Sequence, residues 1–173
     1  MLIVATVALG VLSGLLRGGS LRHLTGASLS GAGLAVAAAV AQAVHAFIPV
    51  PAVAVTTTVL SQGALLVFLW LNRYAAGAFL VAVGSTCNAA VIIANGAMPV
   101  SREAIMAVAL HPYEVMGRHR LLETGDPLPW LADVIGLPVL RTVVSVGDVL
   151  LVAGVGLLVS ALMQPPRQRA MAA

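Results

Sequence analysis

The sequence predicts an all-α polytopic membrane protein, and three observations carry that expectation. Of its 173 residues, 60% are hydrophobic and 9% charged, with a mean hydropathy of +1.04. Its apolar residues gather into runs long enough to cross a bilayer, and its charges sit between those runs. A soluble domain carries roughly 25% charged residues, so this chain could not cover a water-facing surface. Disorder is excluded by the same figures, since disordered segments are poor in apolar residues. A single membrane domain over residues 1–173 is expected.

A membrane helix needs about 20 apolar residues, and about 17 is the lower limit. The first run, 2–16, is short. Its positive charges follow it, the reverse of a cleaved signal peptide, so it is read as a first span. Further spans are expected at 29–50, 52–71, 74–97 and 145–163. Pro49 and Pro51 separate the second from the third, because proline cannot continue a helix ladder.

The basic residues orient these five spans. All nine are arginines: Arg17 and Arg22 lie in the first loop, Arg73 in the third, and Arg167 and Arg169 in the tail. No acid shares those segments. The positive-inside rule makes that side cytoplasmic, which puts the N-terminus outside and the C-terminus inside. All six acids, Glu103, Glu114, Glu123, Asp126, Asp133 and Asp148, lie in or beside the loop 98–144, which falls on the outer face. The arginine- and alanine-rich composition suits a bacterial gene of high GC content, hence a multi-pass protein of a bacterial plasma membrane. The pI near 10.0 follows from arginines that flank apolar runs, so topology control and not nucleic-acid binding accounts for it.

The outer loop is expected to carry short helical or interfacial segments. Ser101 can cap a helix over 102–110, whose first backbone donors would otherwise be unpaired. His111-Pro112 ends it. The stretch 128–140, punctuated by Pro129 and Pro138, is semi-apolar and carries Trp130, a ring suited to the headgroup level. That stretch is expected to lie on the membrane or to dip into it.

Polar side chains in hydrocarbon cost free energy unless partnered, so their positions are informative. Gln42 and His45 share one face of the second span, and Thr58 and Gln62 one face of the third. Ser85, Asn88 and Asn95 share a face of the fourth, and Ser145 and Asp148 open the fifth. One reading gathers Gln42, His45, Gln62, Asn88, Asn95 and Ser145 around a polar cleft that opens outward. The other treats them as interhelical glue, each bond contributing about 0.6 kcal/mol. A His-x-x-x-His or Cys-x-x-Cys spacing, which a metal site would need, does not occur. The single cysteine, Cys87, excludes an intramolecular disulfide. No cofactor is indicated.

Asp148 reads as helix-start chemistry with Ser145. Alternatively it pairs with Asp133 as two carboxylates sharing a proton, the arrangement that activates water in aspartic proteases. An ion pair between Asp133 and Arg141 accounts for Asp133 equally well.

Taken in order, Leu15-Leu16-Arg17-Gly18-Gly19, Asn72-Arg73, the stretch from Ala94 to Ser101 (Ala-Asn-Gly-Ala-Met-Pro-Val-Ser), Asp133-Val134-Ile135 and Ser145-Val146-Gly147-Asp148 resemble a family of small bacterial multi-span membrane proteins, domain of unknown function 5317. That family has no assigned activity, so the resemblance implies a fold and no chemistry. A weaker resemblance relates the C-terminal third to lipoprotein signal peptidases, whose catalytic aspartates lie at the outer membrane face. Ala132-Asp133-Val134-Ile135 and the segment from Val144 to Asp148 have a similar order. That likeness implies catalytic roles for Asp133 and Asp148. The chain lacks the peptidases' Asn-x-x-Asp-Arg motif, and Val-Gly-Asp replaces their Asn-Ala-Asp.

Three functions are compatible with these residues: an outward-facing binding cleft for a lipid or hydrophobic peptide, an aspartic-type membrane hydrolase using Asp133 and Asp148, and a structural or accessory membrane subunit. The expected partners are membrane lipid and another membrane protein.

Overall fold

A computed structural model of the chain describes residues 2–26, 29–47, 50–108 and 119–165. The described residues are mostly helical. In order come α1 (Leu2–Leu16), α2 (Leu21–Thr25), α3 (Ala32–Phe47), α4 (Pro51–Leu71), α5 (Ala78–Asn95), β1 (Met98–Val100), α6 (Arg102–Val108), β2 (His119–Leu121), β3 (Ile135–Leu137), β4 (Thr142–Val144) and α7 (Val146–Leu162). Five of the helices occupy the five apolar runs. Two, over Ala52–Leu71 and Ala78–Asn95, are long and apolar enough to cross a membrane, with hydropathies of 1.9 and 1.7. The apolar stretches of α1, α3 and α7 are shorter.

Several boundaries differ from expectation for local reasons. The fourth helix begins at Ala78, not at 74, because residues 72–77 form a tight turn closed by Ala75 N–H to Asn72 O (2.8 Å) and Ala78 N–H to Ala75 O (3.0 Å). It ends at Asn95, where Gly96 turns left-handed at φ 72°. The unexpected α2 starts at Ser20, whose side chain accepts from Arg22 N–H at 3.3 Å. The helix expected over 102–110 is described over Arg102–Val108; positions 109 and 110, the His111-Pro112 stop, and Arg167 and Arg169 lie outside the described residues.

The helices pack in a row: α1 against α7, α7 against α5, α5 against α4, and α4 against α3. One end of the row gathers the last turns of α1, α4 and α7 with the first turns of α3 and α5. There Met163 O accepts from Ser20 N–H (2.8 Å) and lies 3.0 Å from His23 Nδ1. Asn72 clasps Ser30 through both backbone groups, at 2.8 and 3.0 Å. Phe68, Leu69, Ala78 and Val81 form a core near this end, with Leu34, Ala35, Leu151 and Val155 packed on it.

The seams rest on small residues. A Cβ added at Gly84 would lie 2.5 Å from Gly147 O and 2.8 Å from Leu151 N, so α5 and α7 touch backbone to backbone. Across α1 and α7, Gly10 faces Gly156, and the Ser13 and Ser160 hydroxyls are 3.4 Å apart. Close approach through small residues is how helices associate where burial of apolar surface supplies no driving force.

The other end carries the segment 98–144, and here the all-α expectation needs correction. β1 pairs in parallel with β2, an isolated bridge joins Val100 to Asp133, and β3 pairs antiparallel with β4. Three-residue strands are too short to show the alternation that reveals a strand in sequence. Helix α6 packs on β3 and β4. The stretch 128–140 rests on the bundle: Leu128, just before the 3-10 turn Pro129–Leu131, and Leu131, its last residue, pack against Val91, Ile92 and Met98, while Trp130 stays exposed.

Candidate polar site at the crossing of the fifth and seventh helices

The start of α7 is fixed by its own sequence. Ser145 is extended at φ −92°, ψ 169°, and serves as N-cap; its hydroxyl accepts from Asp148 N–H at 3.0 Å. Asp148 returns the bond, its Oδ2 accepting from Ser145 N–H at 3.1 Å. This capping box satisfies two backbone donors that a helix start leaves unpaired. Position 147 must be glycine, because a Cβ there would fall on Asn88 Oδ1. Asn88 of α5 thereby reaches the cap, donating from Nδ2 to Asp148 Oδ1 at 2.7 Å. The Ser145 hydroxyl in turn donates to Asn88 Oδ1 at 2.9 Å.

The result is a closed ring of hydrogen bonds among Asn88, Ser145 and Asp148, with Ser145 fully buried. Both carboxylate oxygens accept bonds from neutral donors, one from the Asn88 amide and one from the Ser145 backbone. Chemically the ring joins two helices and orders the start of one of them.

The second sequence-predicted acid has other partners. Asp133 is 4% exposed and is held by its backbone, its N–H donating to Pro99 O (3.0 Å) and its carbonyl accepting from Ser101 N–H (2.9 Å). Its Oδ2 lies 3.6 Å from His119 Nε2. His119 thus stands where an ion pair with Arg141 was one expectation. Arg141 instead occupies a left-handed turn at φ 48° and is exposed. Asp148 bonds to Asn88 and Ser145, and Asp133 is not among its partners.

The remaining polar residues serve other seams. Gln42 of α3 donates to Ser61 of α4 at 2.6 Å. Gln62 of α4 donates to Ser85 and Thr86 of α5 at 3.2 and 3.0 Å. Asn95, at the end of α5, donates to Pro127 O at 3.0 Å and accepts from Arg120 at 3.1 Å. The side chain of His45 lies outside the described residues. Of the residues expected to line one cleft, the structure brings Asn88 and Ser145 together, with Asp148, and distributes Gln42, Gln62 and Asn95 along the row.

Sequence reasoning missed the cluster that fastens the segment 119–127 to the end of α5. Arg120 meets Asp126 through two parallel bonds, 2.8 and 2.6 Å. Asp126 also accepts from Glu123 N–H at 2.8 Å. The Arg120 bonds, then the Glu123 N–H, hold the Asp126 carboxyl below its ordinary range, and Asp126 raises Arg120 in return. At α6, the Ser101 hydroxyl donates to Glu103 at 2.6 Å and lowers that carboxyl similarly. The available signal was the Gly125-Asp126-Pro127 turn following an arginine. Among the described residues, no group of three His, Cys, Asp or Glu side chains gathers as a metal site would require.

No curated protein and no solved structure matches the chain. A family model does match, over residues 27–160, the span from the turn before α3 to the last residues of α7. The ring residues Asn88, Ser145 and Asp148 all fall inside that span, and the chain belongs to the DUF5317 family, a family of unknown function.

Proposed function

We propose that this chain is a five-span integral protein of a bacterial plasma membrane, with its N-terminus outside and its C-terminus inside. Its role is non-covalent: a structural or accessory subunit that associates laterally with lipid or with another membrane protein. One observation carries this reading. Gln42, Gln62, Asn88 and Ser145 bond across neighbouring seams or at a helix cap, while the row stays open at α1 and α3. Polar groups engaged in this way act as glue between helices, and an open row leaves apolar helix faces for a lateral partner.

The exposure of the helices supports the membrane reading. Only 28% of the α4 window and 39% of the α5 window is buried, whereas the core helix of a soluble protein would be mostly covered. The same ring weighs against a signal-peptidase-like hydrolase, because Asp148 is engaged with Ser145 and Asn88 and not with Asp133.

Two experiments test the proposal. In a Cys87→Ala background, a membrane-impermeant maleimide should label Thr124→Cys in intact cells, and Arg17→Cys only after lysis. Equal labelling of both before lysis would overturn the topology. Extraction in native nanodiscs should yield the chain with a stoichiometric lipid or protein companion. A homogeneous chain without either, or hydrolysis of a membrane peptide abolished by Asp148→Asn, would overturn the non-catalytic role.

A further inference from the structure

At the end of the row where α4 stops, one arginine is held between two aromatic rings. The Arg73 guanidinium carbon lies 5.0 Å from the centre of the Trp70 ring and 4.6 Å from that of Tyr74. Its two terminal nitrogens donate to Trp70 O and to the Tyr74 hydroxyl, each at 3.3 Å. Asn72 fixes the backbone between them through Ser30 and through Phe68 O (2.7 Å). The arginine is therefore pre-positioned over both rings, and only two of its five N–H donors are engaged among the described residues. Among the described residues, no carboxylate pairs with it. The chain has no acid before Glu103, so Arg17, Arg22 and Arg73 make this end of the row purely basic.

The surroundings are those of a bilayer interface. Trp70 is 68% exposed and Tyr74 64%, and beside them Leu66, Val67 and Leu71 are exposed on α4. Amphipathic rings favour the headgroup level, with acyl chains against the apolar turn below. A guanidinium with open donors at that depth suits a phosphate, which it can bind through two parallel bonds.

We propose that Trp70, Arg73 and Tyr74 form a binding site for the headgroup of an anionic phospholipid in the inner leaflet. The site rests on the membrane reading above and deepens it by naming the lipid class. Arg73 supplies the charge, its stacking on both rings removes the cost of ordering it, and the exposed α4 face receives the acyl chains. A zwitterionic lipid offers the same phosphate with its own cation attached, so it competes weakly. A basic side chain at an anionic surface contributes about 1 kcal/mol, equivalent to about a five-fold preference.

The chain has two tryptophans, so Trp130→Phe leaves Trp70 as the only one. That variant is reconstituted in phosphatidylcholine vesicles containing equal fractions of either dibrominated phosphatidylglycerol or dibrominated phosphatidylcholine, and Trp70 fluorescence is read. Quenching by the brominated phosphatidylglycerol should correspond to about a five-fold higher local affinity. The preference should vanish in Arg73→Gln and survive in part in Arg73→Lys, which keeps the charge but not the planar stack. Equal quenching by the two lipids in the parent, or an unchanged preference in Arg73→Gln, overturns the site and leaves the membrane reading standing. Absence of quenching by either lipid overturns both.

Discussion

Ser145 is a buried hydroxyl that accepts from one helix start and donates to another helix, so its loss should be felt twice. Ser145→Ala removes the cap of α7 and leaves Asn88 Oδ1 without its donor. We expect the variant to lose about 1 kcal/mol, the usual cost of a missing N-cap, read as a lower midpoint in detergent denaturation. Asp148→Asn should be milder than a deletion, because an amide oxygen can still accept one of the two bonds the carboxylate accepts. The spacing of Ser145 and Asp148 made the cap legible in sequence, since an N-cap and its N3 partner are always three apart. Asn88 was legible only as a polar residue in hydrocarbon. Which of several helices it faces depends on contacts 57 to 60 residues away in the chain, and spacing within one helix does not carry that information.

Elements were read well where length and hydropathy define them, as in α1 and α4, and poorly where backbone contacts do. The α5–α7 seam is the clearest case. Gly84 and Gly147 looked like ordinary glycines in apolar runs, and only the packed structure reveals that each leaves room for the other's helix. Gly84→Ala should destabilise the protein by about 1–3 kcal/mol through overpacking. Gly63→Ala, where nothing lies within 4 Å of the added carbon, should be neutral or gain up to about 1 kcal/mol in helix propensity. Thermal melts of the two variants side by side would check this, and equal losses would refute the seam. The segment 119–127 makes a different prediction. Because Asp126 is held below its ordinary range when folded, its pair with Arg120 stabilises the fold above the ordinary carboxylate value of 3.8. That contribution fades as pH falls through the lowered value. Amide protection factors over 119–127, each rate divided by the intrinsic rate at that pH, should therefore fall at acid pH before those of the helices, and Asp126→Asn should show the lower protection already at neutral pH.

At the scale of the whole molecule, the order α1, α7, α5, α4, α3 was invisible in the sequence because nothing in a single helix names its neighbours. It can be tested directly. In a Cys87→Ala background, Ser13→Cys with Ser160→Cys should form a disulfide on mild oxidation, since their hydroxyls lie 3.4 Å apart. Ser13→Cys with Ser61→Cys, whose helices are not neighbours in the row, should not. The same order sets a timetable for synthesis. Helix α4 packs on α3 and α5 packs on α4, each on the helix just made, so those two seams can close as the chain emerges. Helix α1 packs on α7, the last of the described helices, and the Ser13–Ser160 contact spans 147 residues. The α1–α7 seam therefore closes only after α3, α4 and α5 have been made. Closing so distant a contact is the slow step of any chain. Removal of the segment 146–162 would leave one face of α5 uncovered and α1 unattached, so α7 is what joins the first helix to the rest of the row.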